Sequence, residues 1–257
     1  MSGPTSHATL SYTTESGVAR ARFARPAERN SVTEEVLDDL GDVIRAVQAD
    51  PQLRTLILAG DGDAFSVGLD GELLARAYAD GEYLEHLLTR LAATFLSLES
   101  LEVPVIAQVG GAALGAGFEL ALACDLIVIA EQAQIGDGQL AAGAVPGGGA
   151  SIRLPRLVGV QRARELIYSG RLLDGVEAAE LGLALRAVPS TELDAAVAEL
   201  AASFAGKPRL ALATAKRQIN RGLGVDTPTG LELERRELLR YAREAGDGLP
   251  RAAREWA

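Results

Sequence analysis

One cysteine, one methionine, one tryptophan and two histidines are all that 257 residues contain of those types. The single thiol, Cys124, excludes an internal disulfide and any cysteine-based zinc cluster, and it fits a reducing compartment. His7 and His86 fall outside every motif, and two histidines so placed do not suggest a metal site. Long apolar runs are also lacking. The longest covers residues 118–130, and Glu119 and Asp125 interrupt it, so it cannot span a bilayer. Residues 1–30 hold no signal-peptide core, and Arg20, Arg22 and Arg25 break any such reading, so a cytoplasmic protein is expected. Dense clusters of Lys and Arg are missing too. With 35 acidic and 25 basic residues the net charge is −10, which argues against the basic face of a nucleic-acid binder. Neither nucleic acid nor membrane is an expected partner.

What is present describes a globular chain, 48% hydrophobic and 23% charged. Its length allows one large domain or two small ones, with a core that needs no disulfide or metal. Residues 9–12 and 18–23 read as short strands around a Glu15-Ser16-Gly17 turn. Ser31 with Glu34 forms a capping-box pattern. Val36, Leu37, Leu40, Val43, Ile44 and Val47 follow at helical spacing. Strands are expected over 54–59, 105–109 and 126–130, and helices over 83–98, 161–169 and 175–182. From about Thr191 to the C-terminus the pattern is helical, broken near 206–208 and 222–228. Alternating strands and helices followed by a helical tail predict an α/β core with a C-terminal α-helical subdomain.

The glycine-rich stretch 110–117 runs from a strand into the apolar helix expected over 118–124. A helix entered this way presents unsatisfied N–H groups and a positive dipole end, suited to a phosphate or a transient oxyanion. It is no G-x-G-x-x-G, because Leu120 stands where the last glycine is required, and no Gly-Lys-Ser/Thr follows. Glu119 places a carboxylate in the first turn of that helix. Taken alone, it is better explained by the helix dipole than by catalysis. Ser66 has no G-x-S-x-G elbow around it, and Cys124 reads as a packing thiol.

Five segments in order carry a resemblance. They are Arg25-Pro26 with Asn30-Ser31-Val32, then Ala64-Phe65-Ser66-Val67-Gly68-Leu69-Asp70, then Pro104 to Val109 with Gly111 to Asp125. Pro146-Gly147-Gly148-Gly149 with residues 153–159 follows, and then Gly170-Arg171 with Ala178, Gly182 and Leu183. Together they resemble the crotonase (enoyl-CoA hydratase/isomerase) superfamily over nearly the whole chain. The resemblance implies a spiral of ββα units over residues 1–190. It also implies a helical subdomain over 191–257 that packs in a homotrimer or hexamer, with Leu231, Leu233, Leu238 and Leu239 as a candidate apolar stripe.

The resemblance also implies an acyl-CoA substrate whose thioester carbonyl sits between the main-chain N–H groups of Leu69 and Ala116. Coenzyme A would be part of the substrate, with no separate cofactor and no metal. Substrate contacts are expected at Arg29, Ser66, Gly68, Leu69, Asp70, Gly115, Ala116, Pro146 and Gly147. Arg25, Arg29 and Lys216 are candidates to relieve the charge of its phosphates. Catalysis in the family's hydratases uses two glutamates. The first matches Glu119; the second position is Gln139 here, and a carboxamide can orient water but cannot exchange a proton near neutral pH. Asp137 would substitute only if its loop turns inward. The readings left open are a hydratase working through Glu119 with Gln139, an isomerase, another enolate reaction such as decarboxylation or hydrolysis, and a silent acyl-CoA-binding protein. Tyr78, Tyr83 and Phe95 are candidates to line the acyl pocket, with His86 on a helix face nearby.

Overall fold

A computed structural model describes residues 5–246. Ten strands and ten α-helices follow one another in it. The N-terminal strands β1 (Thr5–Ser6), β2 (Leu10–Glu15) and β3 (Val18–Phe23) lead to helix α1 (Glu34–Ala49). Next come β4 (Thr55–Gly60), β5 (Ala64–Ser66), α2 (Gly71–Ala79) and α3 (Gly81–Ser100). The middle of the chain forms β6 (Val105–Val109), β7 (Ala112–Leu114), α4 (Ala116–Leu122), β8 (Leu126–Ala130) and β9 (Ile135–Gly136). After a 3₁₀ turn at Gln139–Ala142 follow α5 (Ala150–Val158), α6 (Val160–Ser169), α7 (Gly175–Glu180) and β10 (Arg186–Val188). Three helices close the described chain: α8 (Leu193–Ala205), α9 (Arg209–Gly222) and α10 (Thr227–Ala245).

Two sheets organise these elements. The larger has the order β1-β2-β3-β4-β6-β8-β10, and the smaller has β5-β7-β9. Three ββ pairs in succession place one strand in each sheet: β4 with β5, β6 with β7, and β8 with β9. Helices follow each pair, so the ββα spiral expected from the sequence is the observed architecture. From β3 to β10 the large sheet is parallel. Its central strands β4 and β6 are buried almost throughout, as strands covered on both faces must be. Phe23 and Phe65 meet edge to face at 5.8 Å and tie β3 to β5, a contact worth about 0.5–1.5 kcal/mol beyond its area.

Helix α1 shows a departure from expectation. Its N-cap is Thr33, whose Oγ accepts the Val36 N–H at 3.2 Å; Ser31 is not the cap. Val32 is held extended by a bridge to Leu69, so no helix can start before Thr33. Val36, Leu37, Leu40, Val43, Ile44 and Val47 are all buried, as their spacing predicts. Glycine content hid β7 inside the expected 110–117 turn. Strands β5, β9 and β10 and helix α2 also lie outside the elements expected from local pattern. Helix α8 lies on β4, β6 and β8, whereas α9 and α10 pack mainly on each other. The helical pattern expected for residues 247–257 lies outside the described residues.

Candidate active site

All three strands of the small sheet run parallel, with Ser66 opposite Ala113 and Leu114 opposite Gly136. Parallel strands end at the same edge. The chain leaving that edge supplies residues 67–70 after β5, 115–119 after β7 and 137–139 after β9. Topology alone thus gathers three separate segments.

The first two abut. Gly68 has φ +100°, and a Cβ there would lie 3.1 Å from Ala116 N and 2.9 Å from Leu114 O. A Cβ at Gly117 would fall 2.1 Å from the Ser66 carbonyl oxygen, so the first turn of α4 rests directly on the β5 backbone. Around Leu69, Val32 N–H donates to Gly68 O at 2.7 Å and Asp70 N–H donates to Val32 O at 3.0 Å. That bridge does not use the N–H of Leu69. Ala116 is the first residue of α4, ahead of the first helical bond, from Glu119 N–H to Gly115 O. Among the described residues, neither the Leu69 nor the Ala116 N–H donates to a protein acceptor.

Neighbouring residues hold these turns. Ser66 is fully buried, and its Oγ accepts the Gly68 N–H at 3.3 Å. Asp70 caps α2 through the Glu72 and Leu73 N–H groups and accepts from the Ser31 hydroxyl. Buried Asn30 donates to the carbonyls of Asp61 and Ala64. The carbonyl of Arg29 accepts the Val67 N–H, and its half-exposed guanidinium lies 3.5 Å from Asp63.

Glu119 is 2% exposed. Its Oε1 accepts the N–H of Gly148 at 2.8 Å and of Ala150 at 3.1 Å. Burial pushes its carboxyl above the ordinary glutamate range, and the nearby Asp137 charge adds to that. The Ala150 and Gly148 N–H groups pull the other way. The 146–150 loop that supplies these donors is fixed by Arg153, which donates to Gly148 O at 2.7 Å and to the Glu99 carboxylate. Helix α3 flanks the same loop with Leu88 beside Gly147 and Phe95 beside Gly148. Pro146 and Gly147 precede Gly148, the donor to Glu119, in the same loop. Sequence reasoning missed Gly148, Ala150, Arg153 and Leu88. The P-G-G-G run was the available signal, but nothing in it says which main-chain group turns inward.

The 137–139 loop does turn Asp137 inward, leaving it 6% exposed. Its Oδ1 accepts Gln139 Nε2 at 3.0 Å, while Oδ2 has no hydrogen-bond partner among the described residues. Burial raises the Asp137 carboxyl, and bonds from the Gln139 main chain and side chain oppose the shift.

Other candidates are placed elsewhere. Lys216 is not available to a phosphate. It is 8% exposed, and its Nζ donates to Leu98 O, Val103 O and Asp125 Oδ2, which locks α9 onto the core. Arg25 donates to the Thr33 hydroxyl. Burial pushes the Cys124 thiol far up, and it donates to Leu120 O. Phe95 is a core residue that also borders the site at Gly148, whereas Tyr78 is exposed and the Tyr83 hydroxyl donates to Glu34 with Arg76 over its ring at 3.7 Å. His86 is exposed on α3, and His7 lies 3.9 Å from Asp39. No helix among the described residues is long and apolar enough to cross a membrane.

Two sheets wound by successive ββα units, with free main-chain donors and a buried glutamate where the small sheet ends, define the crotonase fold class. The model of the enoyl-CoA hydratase/isomerase family matches residues 13–248, and the chain belongs to that family. It is 36% identical to methylglutaconyl-CoA hydratase of Rattus norvegicus over 223 residues, 85% of this chain and 70% of that one. The crystal structure of an enoyl-CoA hydratase from Bacillus anthracis superimposes with a TM-score of 0.89 at 34% identity, covering 96% of each chain. A protein of Thermobifida fusca YX, assigned as an enoyl-CoA hydratase and solved in complex with CoA, gives 0.81 at 33% identity, covering 93% of this chain and 94% of that one.

Proposed function

We propose that this protein is an enzyme of the hydratase/isomerase type that binds an acyl-CoA thioester and stabilises its enolate. The thioester oxygen would lie between the N–H groups of Leu69 and Ala116, with Glu119 as the proton-transfer group. The observation that carries this reading is the pair of unengaged main-chain donors at two abutting turns beside a buried carboxylate. Such donors, aimed where charge develops, are worth about 10²–10³ in rate each. The dipole of α4 acts in the same direction.

Hydration needs only one carboxylate if that group serves twice. As the water oxygen bonds to carbon three, Glu119 takes the water proton and charge moves to the thioester oxygen. Glu119 then returns a proton to carbon two as the enolate collapses. Its raised pKa favours the second half of this cycle. Arg25 and Arg29 are the candidates to meet the coenzyme A phosphates, and Pro146, Gly147 and Leu88 are the candidates to line the acyl path. Coenzyme A enters as part of the substrate. Exposed Ile219 on α9 and Leu223 just after it, with Leu231, Leu238 and Leu239 on α10, support assembly as a homotrimer or hexamer.

A second reading, a catalytically silent acyl-CoA-binding protein, is favoured by the amide at position 139. The test that separates the two is a panel of acyl-CoA thioesters in deuterated water. Exchange at carbon two supports enolate formation; thioester binding without exchange or turnover supports the silent reading.

A further inference from the structure

The geometry points to Asp137 as a positioning residue that holds the Gln139 amide by its NH₂ group, which leaves Gln139 Oε1 free to accept a hydrogen bond from the attacking water. This inference rests on the enolate reading above. A carboxylate offers only acceptors, so the amide can meet Asp137 Oδ1 only through its NH₂ side, as the 3.0 Å contact from Nε2 shows. Turning the amide over would set two oxygens against each other in a largely buried site, where that repulsion is weakly screened. Oε1 is thereby directed away from Asp137. The same side chain flanks the Gly115 turn: a Cβ on Gly115 would lie 3.9 Å from Gln139 Cγ and 4.0 Å from Nε2. Ala116 N–H and Glu119 leave from that turn.

Asp137 is itself held in place. The Gly115 N–H reaches the carbonyls of Gly136 and Asp137, at 3.2 Å each. Asp137 is 6% exposed and its Oδ2 is buried without a partner among the described residues, a costly arrangement that an apolar residue would avoid if the loop needed only to pack. The water in this scheme gives one O–H to Gln139 Oε1 and the other to Glu119, while its oxygen bonds to carbon three. No proton moves on the amide, which supplies the acceptor that a second glutamate would have supplied.

The test compares the wild-type chain with Asp137→Asn. Hydration of crotonyl-CoA and deuterium exchange at carbon two of saturated butyryl-CoA are measured, because exchange needs no attacking water. An Asn can donate as well as accept and no longer fixes the amide. The expected result is a kcat for hydration lower by about tenfold or more, with KM and exchange held within about twofold. Gln139→Leu is expected to show the same split, and adding Gln139→Glu to Asp137→Asn is expected to restore hydration. The acid limb of the hydration profile is expected to move to lower pH in Asp137→Asn, since the Asp137 charge raises Glu119; Arg171, lining the same small cavity, is already held by Glu165 and Glu177. Equal loss of hydration and exchange, or no loss of either, overturns the positioning role. A wild-type chain that exchanges nothing at carbon two overturns the enolate reading itself.

Discussion

Gly148 donates its main-chain N–H to Glu119 Oε1 at 2.8 Å, across a contact that leaves no room for a side chain. A Cβ on Gly148 would lie 2.5 Å from Glu119 Oε2, 2.9 Å from its Cδ and 3.0 Å from Phe95 Cε2. Gly148→Ala must therefore move the carboxylate, the loop or Phe95. Displacement of a reacting group by about 1 Å can cost about 10² in rate. We expect kcat on crotonyl-CoA to fall by about that factor while coenzyme A binding, measured by calorimetry, persists. Unchanged turnover would mean that Glu119 is not used in the position observed.

Glu119→Gln is expected to abolish turnover and to stabilise the fold at neutral pH. The sign follows from the raised pKa. Below the ordinary glutamate value, both folded and unfolded chains carry the proton and nothing is lost. As pH rises from there through the folded value, the unfolded chain has released its proton while the fold must ionise a buried acid, so stability falls. Glutamine never ionises. The Tm gain over wild type should thus be absent near about pH 4 and present at about pH 7, each kcal/mol recovered appearing as about 2–4 °C. Thermal melts at the two pH values decide it.

Lys216→Met tests a structural claim. It keeps the aliphatic stem but strands Asp125, whose carboxyl burial already raises and whose Oδ2 also accepts the Val105 N–H. Removing one partner of a fully buried pair costs about 3–5 kcal/mol, and the loss here falls below that range because the Asp125 side chain keeps 21% exposure. Denaturation midpoints should fall accordingly, with the loss easing as pH drops and Asp125 takes a proton. A neutral effect would show that α9 is held to the core by other contacts.

Local patterns carried much of this fold. The strands at Val105–Val109 and Leu126–Ala130 fall where their apolar runs predict, and α1 buries its helical stripe. Chain segments whose structure depends on distant partners were not legible. Strand β7 is only Ala112–Leu114, framed by glycines, and is a strand because β5 and β9 lie beside it. The start of α1 is set by the Val32–Leu69 bridge, 37 positions apart in the chain, and not by the local Ser31-x-x-Glu34 pattern. Lys216 looked like a solvent cation because the sequence of α9 does not reveal that Asp125 is its partner. In the site, motif order singled out Leu69 and Ala116, which lie at two abutting turns, and Glu119 in the helix that leaves the second. The donors to Glu119 and the inward face of Asp137 arise from loop conformation, which residue types alone do not encode.

The donor role of Ala116 can be tested without touching a side chain that reacts. Ala116 is the first residue of α4, the position where proline is best tolerated, since that N–H has no helical partner and φ near −65° already suits a helix start. Ala116→Pro therefore deletes one N–H while leaving the helix a competent beginning. The ring adds bulk near Gly68, whose missing Cβ would itself sit 3.1 Å from Ala116 N, so Ala116→Gly and Ala116→Ser serve as controls that keep the N–H and vary the side chain. If the thioester oxygen is bound there, the proline variant should lose about 10²–10³ in kcat, while both controls stay near wild type. Deuterium exchange at carbon two should fall in parallel with turnover, because the same donor stabilises the enolate in both. A proline variant that melts like wild type and still turns over normally would remove Ala116 from the chemistry and leave the Leu69 N–H without its partner.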